Sequence, residues 1–132
     1  MTNNKALFLD DERFPKNVKW IELPLEQWVI VRSYKEFSDW ISRNGLPRVI
    51  SFDNDLADQS YGVNWEEAAR DGKFTELNAS LREKTGYDCA KFLVNYCLDK
   101  ELDLPQYYVH SMNSVAKDYI ISLLDSFKKR NE

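Results

Sequence analysis

The chain has 132 residues, of which 43% are hydrophobic and 14% aromatic. This is enough apolar material for one domain with one core, and it argues against global disorder. The formal net charge of −4 argues against a long nucleic-acid groove, which would bind mainly through cationic side chains. It is compatible with a small phosphate held by one or two arginines, or with a site for a hard cation.

Buried strands are predicted for three apolar runs in the first part of the chain, over residues 5–9, 28–32 and 48–52. A helix follows the second strand. It begins at a capping box formed by Ser33 and Glu36 and ends at the Asn44-Gly45 pair. The first and third strands lead directly into acidic residues.

The second part of the chain predicts a helix over 86–99 capped by Thr85, a strand over 106–109 and an amphipathic helix over 114–129. The segment 56–85 carries only weak helical patterns, over 65–70 and 74–84. A stretch of this length in a small domain is typical of a lid or binding segment, so we expect a lid-like insertion.

Strands that alternate with helices predict a single α/β domain over residues 1–132, with a mostly parallel sheet of about four to five strands and helices on both faces. Cys89 and Cys97 lie eight residues apart on one predicted helix, too far for a disulfide, and are interpreted as buried apolar residues. No apolar run is long enough to cross a bilayer, and the N-terminus lacks a signal-peptide pattern. We therefore expect a cytoplasmic protein without a membrane partner.

Acidic residues follow two of the predicted strands, as Asp10-Asp11 and as Asp53 with Asp55. Such residues commonly form turns and caps, and either pair alone is compatible with that role. Because the carboxyl ends of parallel strands meet at one edge of a sheet, the two pairs are expected to converge there. Packed carboxylates repel each other unless a cation lies between them, so the cluster predicts a site for Mg²⁺ or Mn²⁺.

Basic and polar residues are predicted at the same edge. His110, the only histidine, has two interpretations. It is a hydrogen-bonded structural residue, or it has a functional role as a general acid or base or as a metal ligand. Arg13 and Arg32 either clamp a phosphate or pair with the acids. Ser111 accompanies His110. Asn113 either binds substrate or caps the last helix, whose free N–H groups would then point toward the site.

Five blocks together resemble one family, the cyclic-phosphate processing receiver-like domain. In chain order they are LFLDDER, VRSYKEF, ISFDNDL, TGYDCAKFLV and LPQYYVHSMNSV. The resemblance implies a small three-layer receiver-like (flavodoxin-like) fold. It also implies a role on cyclic phosphate ends, in particular those of RNA, in RNA repair or in conflicts between phage and host.

The resemblance also implies roles for individual residues. Asp10, Asp11 and Asp53 match the acidic pocket that phosphorelay receivers use for Mg²⁺. Asp55 and the His110-Ser111 pair match features that set the cyclic-phosphate group apart. The chain departs from the family at Asn54, where members often carry histidine. If that histidine transfers a proton in other members, this chain lacks one such group.

The sequence leads to three hypotheses. The first is a metal-dependent phosphoesterase acting on a 2′,3′-cyclic phosphate RNA end or a cyclic nucleotide. Here Asp10, Asp11 and Asp53 hold the cation and His110 protonates the leaving oxygen or activates water. Asp53 as a transient nucleophile is less favoured.

The second is a non-catalytic receiver-like module that is phosphorylated or binds a partner protein. The absence of a predicted fifth strand and its lysine argues against two-component signalling. The third is a module that sequesters a nucleotide, which Asn54 favours.

Overall fold

The computed structural model describes residues 2–56, 64–81 and 84–130. Its strands are β1 (Ala6–Leu9), β2 (Trp28–Val31), β3 (Val49–Phe52) and β4 (Gln106–Val109). Its α-helices are α1 (Tyr34–Asn44), α2 (Trp65–Arg70), α3 (Phe74–Ser80), α4 (Gly86–Lys100) and α5 (Ser114–Arg130), and a short 3₁₀ helix spans Pro15–Asn17. Every predicted strand is therefore confirmed to within one residue at each end.

The four strands form one parallel sheet in the order β2-β1-β3-β4. This confirms the predicted α/β class and a strand count within about four to five. The order is that of flavodoxin-like sheets up to the fourth strand. The strand order reverses direction at β1, since β2 is added on one side of it and β3 on the other. The crevice beyond the carboxyl ends of the strands at such a switch point is where ligands bind in folds of this type.

The register places the ends of the four strands level with one another, since Leu9 lies beside both Val31 and Phe52, and Phe52 lies beside Val109. The ladder continues one residue further. The N–H of Asp53 donates to Leu9 at 2.9 Å, and the N–H of His110 donates to Phe52 at 2.9 Å. The residues that follow the strands are thereby brought to one edge of the sheet.

The three long helices α1, α4 and α5 share one core with one face of the sheet. Their side chains pack with Leu7, Leu9, Ile50, Phe52 and Val109, which all point to the same side because alternate strand residues face opposite sides. Within the described residues these three helices therefore lie on one face of the sheet, whereas the sequence predicted helices on both faces. The β2–β3 and β3–β4 crossovers step in the same direction, so right-handed connections put their helices on the same face.

The β1–β2 connection steps in the opposite direction and contains the 3₁₀ helix rather than an α-helix. Pro15 is the first residue of the 3₁₀ helix, and Pro24, which lacks a backbone N–H, disfavours helical hydrogen bonding further along. This connection is anchored at the edge of the sheet where the strands end, because the indole Nε1 of Trp20 donates to the carbonyl of His110 at 2.7 Å.

The two predicted helix caps have different outcomes. Thr85 caps α4 as predicted, and it does so reciprocally with Asp88. At α1, the Ser33 hydroxyl accepts from the N–H of Glu36 at 3.1 Å, but the Glu36 carboxylate accepts from the N–H of Arg32 and not from that of Ser33. The predicted reciprocal box at α1 is therefore half formed.

The segment 56–85 contributes two short helices. Residues 64–81 carry α2 and α3, whose Trp65 and Phe74 form a second apolar cluster with Ala116 of α5. The predicted helix over 74–84 is shorter than expected, because α3 ends at Ser80. Residues 57–63 and 82–83 of the predicted lid lie outside the described residues, and its role as a lid stays a prediction.

Two further expectations concern cysteines and membranes. Cys89 and Cys97 are both free thiols and both buried, as predicted. Among the described residues, no helix has the length and apolar character that crossing a membrane requires.

Candidate functional site

Three carboxylates meet at the edge of the sheet where β1 and β3 end. Asp10, Asp11 and Asp53 each offer an oxygen, and these three oxygens lie within 4.8 Å of one another. Asp10 and Asp53 are buried and Asp11 is half-buried. The structure thus brings together the residues that the sequence analysis assigned to a metal. An all-oxygen set of this kind suits Mg²⁺ or Mn²⁺.

Asp53 has a buried oxygen without a hydrogen-bond partner. Its Oδ1 accepts from the N–H of Asn54 at 2.8 Å, whereas its Oδ2 is the single buried side-chain polar atom without a partner in the described part of the chain. Burial, followed by the negative charge of Asp10, raises the pKa of Asp53 to about 8. Orphaned buried oxygens are rare and call for an explanation such as a missing ion. A divalent cation would supply both the partner and the compensating charge.

Asp10 has a lowered pKa, in contrast to Asp53. Its Oδ1 accepts from the N–H groups of Glu12 and Arg13 at 3.0 and 2.9 Å, and its Oδ2 lies 3.1 Å from Nε2 of His110. Burial acts to raise the pKa of Asp10, but the His110 hydrogen bond and the two backbone N–H groups outweigh it and lower the pKa to about 2. Asp10 is therefore ionised at any physiological pH.

His110 is fully buried between Phe8, Ser51 and Asp10. Its ring stacks on Phe8 with centroids 4.5 Å apart, and its Nδ1 lies 2.6 Å from Oγ of Ser51. Because the ionised Asp10 carboxylate can only accept, Nε2 carries the proton and Nδ1 accepts from the Ser51 hydroxyl. Burial lowers the pKa of His110, although Asp10 acts to raise it. The ring is thus neutral and both of its nitrogens are engaged.

Ser51 is a residue that the sequence analysis missed. It is 0% exposed in the middle of β3, where the flanking residues are apolar. A buried hydroxyl needs a partner, but a serine inside an apolar strand does not by itself show which residue that partner is. Its partner is 59 positions away along the chain.

The two arginines take different roles. The Nη1 of Arg13 lies 3.6 Å from Oδ2 of Asp10, and the side chain is 27% exposed. Arg32 instead donates through its Nη1 to the backbone carbonyls of Asp10 and Arg13, at 3.1 and 2.7 Å. Arg13 therefore borders the acidic cluster directly, while Arg32 holds the loop that carries it.

The remaining predicted residues form a hydrogen-bonded rim. Asn113 donates to Oδ1 of Asp55 at 3.3 Å, and its own Oδ1 accepts from the N–H of Ala116, so that it caps α5. The Ser111 hydroxyl accepts from the N–H of Asn113 at 3.1 Å. Burial raises the pKa of Asp55, opposed by hydrogen bonds from Asn54 and Asn113. The capping interpretation of Asn113 is confirmed.

Asn54 connects the acidic loop to α4. Its side-chain carbonyl accepts from the N–H of Tyr87 at 3.0 Å, its amide donates to Asp55 at 3.1 Å, and its backbone carbonyl accepts from the N–H of Gly86 at 2.9 Å. Asn54 is also fully buried. The position at which the chain departs from the family pattern is thus occupied by a structural amide.

Gly86 permits this contact and was also missed by the sequence analysis. A Cβ placed on Gly86 would lie 1.8 Å from the backbone oxygen of Asp53, which no side chain tolerates. The first residue of α4 therefore has to be glycine for β3 and its acids to lie where they do.

Residues 5–126 of the chain match the family model of the cyclic-phosphate processing receiver domain. The match includes all four strands and every residue of the acidic cluster, as well as Arg13, Arg32 and His110. No curated protein and no solved structure matches the chain significantly.

Proposed function

Because the chain belongs to the family of cyclic-phosphate processing receiver domains, we propose that it is a metal-dependent phosphoesterase that opens a cyclic phosphate. The substrate is either a 2′,3′-cyclic phosphate end of RNA or a cyclic nucleotide. Water adds across one ester P–O bond, which leaves a phosphomonoester and a free hydroxyl. The observation that carries the proposal is the orphaned, buried Oδ2 of Asp53 inside a group of three carboxylates.

In this proposal Asp10, Asp11 and Asp53 hold Mg²⁺ or Mn²⁺. Such an ion, when bound, polarises a phosphoryl oxygen or lowers the pKa of a bound water. The role of the protein is to present oxygens that are already ionised or ready to ionise. Asp10 meets the first description, with a pKa of about 2, and Asp53 the second, with a pKa of about 8 that a neighbouring cation would lower.

Arg13 is the residue best placed to hold the phosphate. Its contact to Asp10 is long, at 3.6 Å, and its 3.5 Å contact to the sulfur of Met112 is to a weak acceptor. The guanidinium can therefore turn toward a phosphate oxygen without losing a strong bond. Arginine binds phosphate bidentately. Arg32 supports this arrangement by holding the backbone of Asp10 and Arg13. Ser111 and Asn113 border the same edge and remain our proposed substrate contacts.

His110 acts in this proposal mainly through Asp10. Its ring is fully buried and both nitrogens are hydrogen-bonded, so that it orients the Oδ2 of Asp10 and donates to it. A direct role in protonating the leaving oxygen, with Asp53 and Asp55 as the neighbouring carboxyls, stays a prediction. Such a direct role requires the His110 ring, or the residues that cover it, to move when substrate binds.

The experiment is turnover by the purified full chain with Mg²⁺ or Mn²⁺ of a panel of cyclic phosphates, followed by ³¹P NMR. The panel holds an RNA oligonucleotide ending in a 2′,3′-cyclic phosphate, nucleoside 2′,3′-cyclic phosphates and 3′,5′-cyclic nucleotides. We expect metal-dependent opening of at least one of them, abolished by Asp53→Asn and retained by Asp39→Asn, which removes an exposed carboxylate on α1. No turnover of any member by a folded sample would overturn the proposal.

One observation favours a second candidate, a module that binds a cyclic nucleotide or RNA end without cleaving it. In the described site both ring nitrogens of His110 are hydrogen-bonded, so this histidine is not poised to transfer a proton to an ester oxygen. The same samples distinguish the two functions. A sequestering module would bind a member of the panel tightly and release it unaltered after prolonged incubation with metal.

A further inference from the structure

Three of the five exposed large hydrophobic side chains in the described part of the chain are linked to Arg13: two contact its guanidinium and the third belongs to the next residue in the chain. They are Phe14, Trp20 and Met112, which are 46%, 39% and 65% exposed. The guanidinium carbon of Arg13 lies 5.2 Å from the centre of the Trp20 ring, and Nη2 lies 3.5 Å from the sulfur of Met112. Exposed apolar groups that cluster in this way mark an interaction surface.

The two aromatic rings of this patch are also flanked by cations. Arg32 lies over the Phe14 ring at 4.8 Å and Lys16 lies 6.0 Å from its centre, while Arg13 covers Trp20. The chain has a net charge of −4, but the surface around these two exposed rings carries three cationic side chains. The combination of an aromatic face and neighbouring cations is what single-stranded nucleic acids and nucleotides bind, through base stacking and phosphate contacts.

The patch is continuous with the acidic cluster. The indole of Trp20 donates to the carbonyl of His110 at 2.7 Å, which fixes the ring next to the residue that holds Asp10. Arg13 contacts both Trp20 and Asp10. A ligand whose phosphate lay at Arg13 and the acids would therefore have its next chemical group beside Trp20. Phe14 is tied to the same edge through Arg32, which lies over its ring and donates to the carbonyls of Asp10 and Arg13.

We propose that Phe14 and Trp20, together with Arg13, form a stacking platform for the base of the ligand. The site then selects cyclic phosphates that carry a nucleobase over those that carry none. The identity of the phosphate group rests on the proposed function, but the platform makes a separate claim about the base. Alanine substitution of one stacking aromatic lowers affinity by roughly 5- to 150-fold per base, and we expect an effect in this range.

The test measures binding of stable ligands, so that it does not depend on turnover. Adenosine 3′-phosphate and a base-free methyl riboside 3-phosphate are titrated calorimetrically into the Mg²⁺-loaded full chain. We expect the nucleotide to bind at least about fivefold more tightly, and Phe14→Ala to remove this preference. Phe14→Tyr, which keeps a ring, should restore it. Leu98→Ala should leave it unchanged, since Leu98 is an equally exposed apolar residue near the end of α4.

A second variant controls for indirect effects of losing the Trp20 hydrogen bond. Trp20→Phe retains a ring but loses the N–H that binds His110, so a loss of overall affinity with the base preference retained supports stacking. An RNA oligonucleotide with the same terminal phosphate separates the two sources of such a ligand. Affinity equal to that of the mononucleotide supports a platform for one base of a free nucleotide or RNA end, and tighter binding supports a platform for two bases of an RNA end.

The proposal is overturned by equal affinities for the two small ligands in the wild type, by a preference that survives Phe14→Ala, or by no binding of either ligand at millimolar concentration. Its failure is distinguishable from that of the proposed function. Equal turnover of base-free and base-bearing cyclic phosphates would remove the platform and leave the phosphoesterase. A base preference in binding without any turnover would support the platform and overturn the phosphoesterase.

Discussion

The Nε2 of His110 lies 3.1 Å from Oδ2 of Asp10, and both side chains are completely buried. The other ring nitrogen accepts from Ser51 at 2.6 Å. This arrangement fixes the ring and its tautomer, and through them the position of Oδ2 of Asp10. Supporting hydrogen bonds of this kind tune metal ligands in proteins. The only histidine of the chain thus positions Asp10, the carboxylate that follows β1.

Replacement of Ser51 by alanine tests this arrangement. Because the substitution leaves Nδ1 of His110 buried without a donor, we expect the free energy of unfolding to fall by about 1–3 kcal/mol. We also expect the affinity for Mn²⁺, measured by electron paramagnetic resonance, to fall by about tenfold. Ser38→Ala removes an exposed hydroxyl on α1 and should change neither quantity. Unchanged Mn²⁺ affinity in a destabilised Ser51→Ala protein would show that Ser51 has a structural role alone.

The pH dependence of stability without metal should reveal Asp53. Its pKa is raised to about 8 in the folded protein, against about 3.9 in an unfolded chain. Between these values the folded state holds a proton that the unfolded state has lost. The metal-free protein therefore loses stability as the pH rises from about 4 to about 8, by at most on the order of 5 kcal/mol. Urea unfolding across this range measures the effect.

Comparison with Asp53→Asn isolates the contribution of Asp53. The pKa of His110 is lowered by burial, so its contribution has the opposite sign and is lost as the pH falls below about 6.5. Both proteins contain His110, and their difference reports Asp53. Saturating Mg²⁺ should remove most of the fall in the wild type, because the ion binds the ionised carboxylates. A difference that does not change with pH would contradict the raised pKa.

Gly86→Ala should be far more harmful than a glycine substitution elsewhere. The added Cβ would overlap the backbone oxygen of Asp53 at 1.8 Å, so β3 and α4 must separate, which we expect to cost about 3 kcal/mol and to weaken Mn²⁺ binding. Gly72→Ala is the matched control. Gly72 has a φ of +70° but open space around it, and its substitution should cost about 1 kcal/mol without an effect on Mn²⁺. Equal costs would contradict the close approach at Gly86.

Asn54→His tests whether the departure from the family pattern limits catalysis. A side chain that transfers a proton typically contributes about 10²- to 10⁴-fold to a rate. Since position 54 is buried and bonded to the start of α4, we expect histidine there to change turnover by less than about tenfold. The assay is the rate on the preferred cyclic phosphate, with thermal unfolding to confirm a folded sample. A gain of two orders of magnitude would show that the histidine acts chemically.

The strands and their acidic ends could be predicted from the sequence because their signals are local. Short apolar runs mark buried parallel strands, and Asp10 and Asp53 follow two of them directly. The parallel register then makes their convergence a geometric consequence. The helix that Thr85 caps was equally visible, because the capping box lies within four residues.

The remaining features depend on contacts between distant parts of the chain. Ser51 gains its role from a histidine on the neighbouring strand, and Gly86 gains its role from the loop after β3. Neither residue differs locally from an ordinary strand serine or helix-start glycine. The placement of the long helices on one face follows from the strand order, which the alternation of elements alone does not determine. Arg32 was expected either to clamp a phosphate or to pair with the acids. Its guanidinium binds two backbone carbonyls that only the folded loop brings together.

The central claim is that Asp10, Asp11 and Asp53 share one divalent cation. The most direct measurement is a crystal structure of the full chain soaked in Mn²⁺, with anomalous difference density to locate the metal. We predict one strong peak among the three carboxylates, coordinated by the oxygen of Asp53 that otherwise has no partner. Absence of a peak there at saturating Mn²⁺, with the three side chains placed as they are here, would contradict the claim.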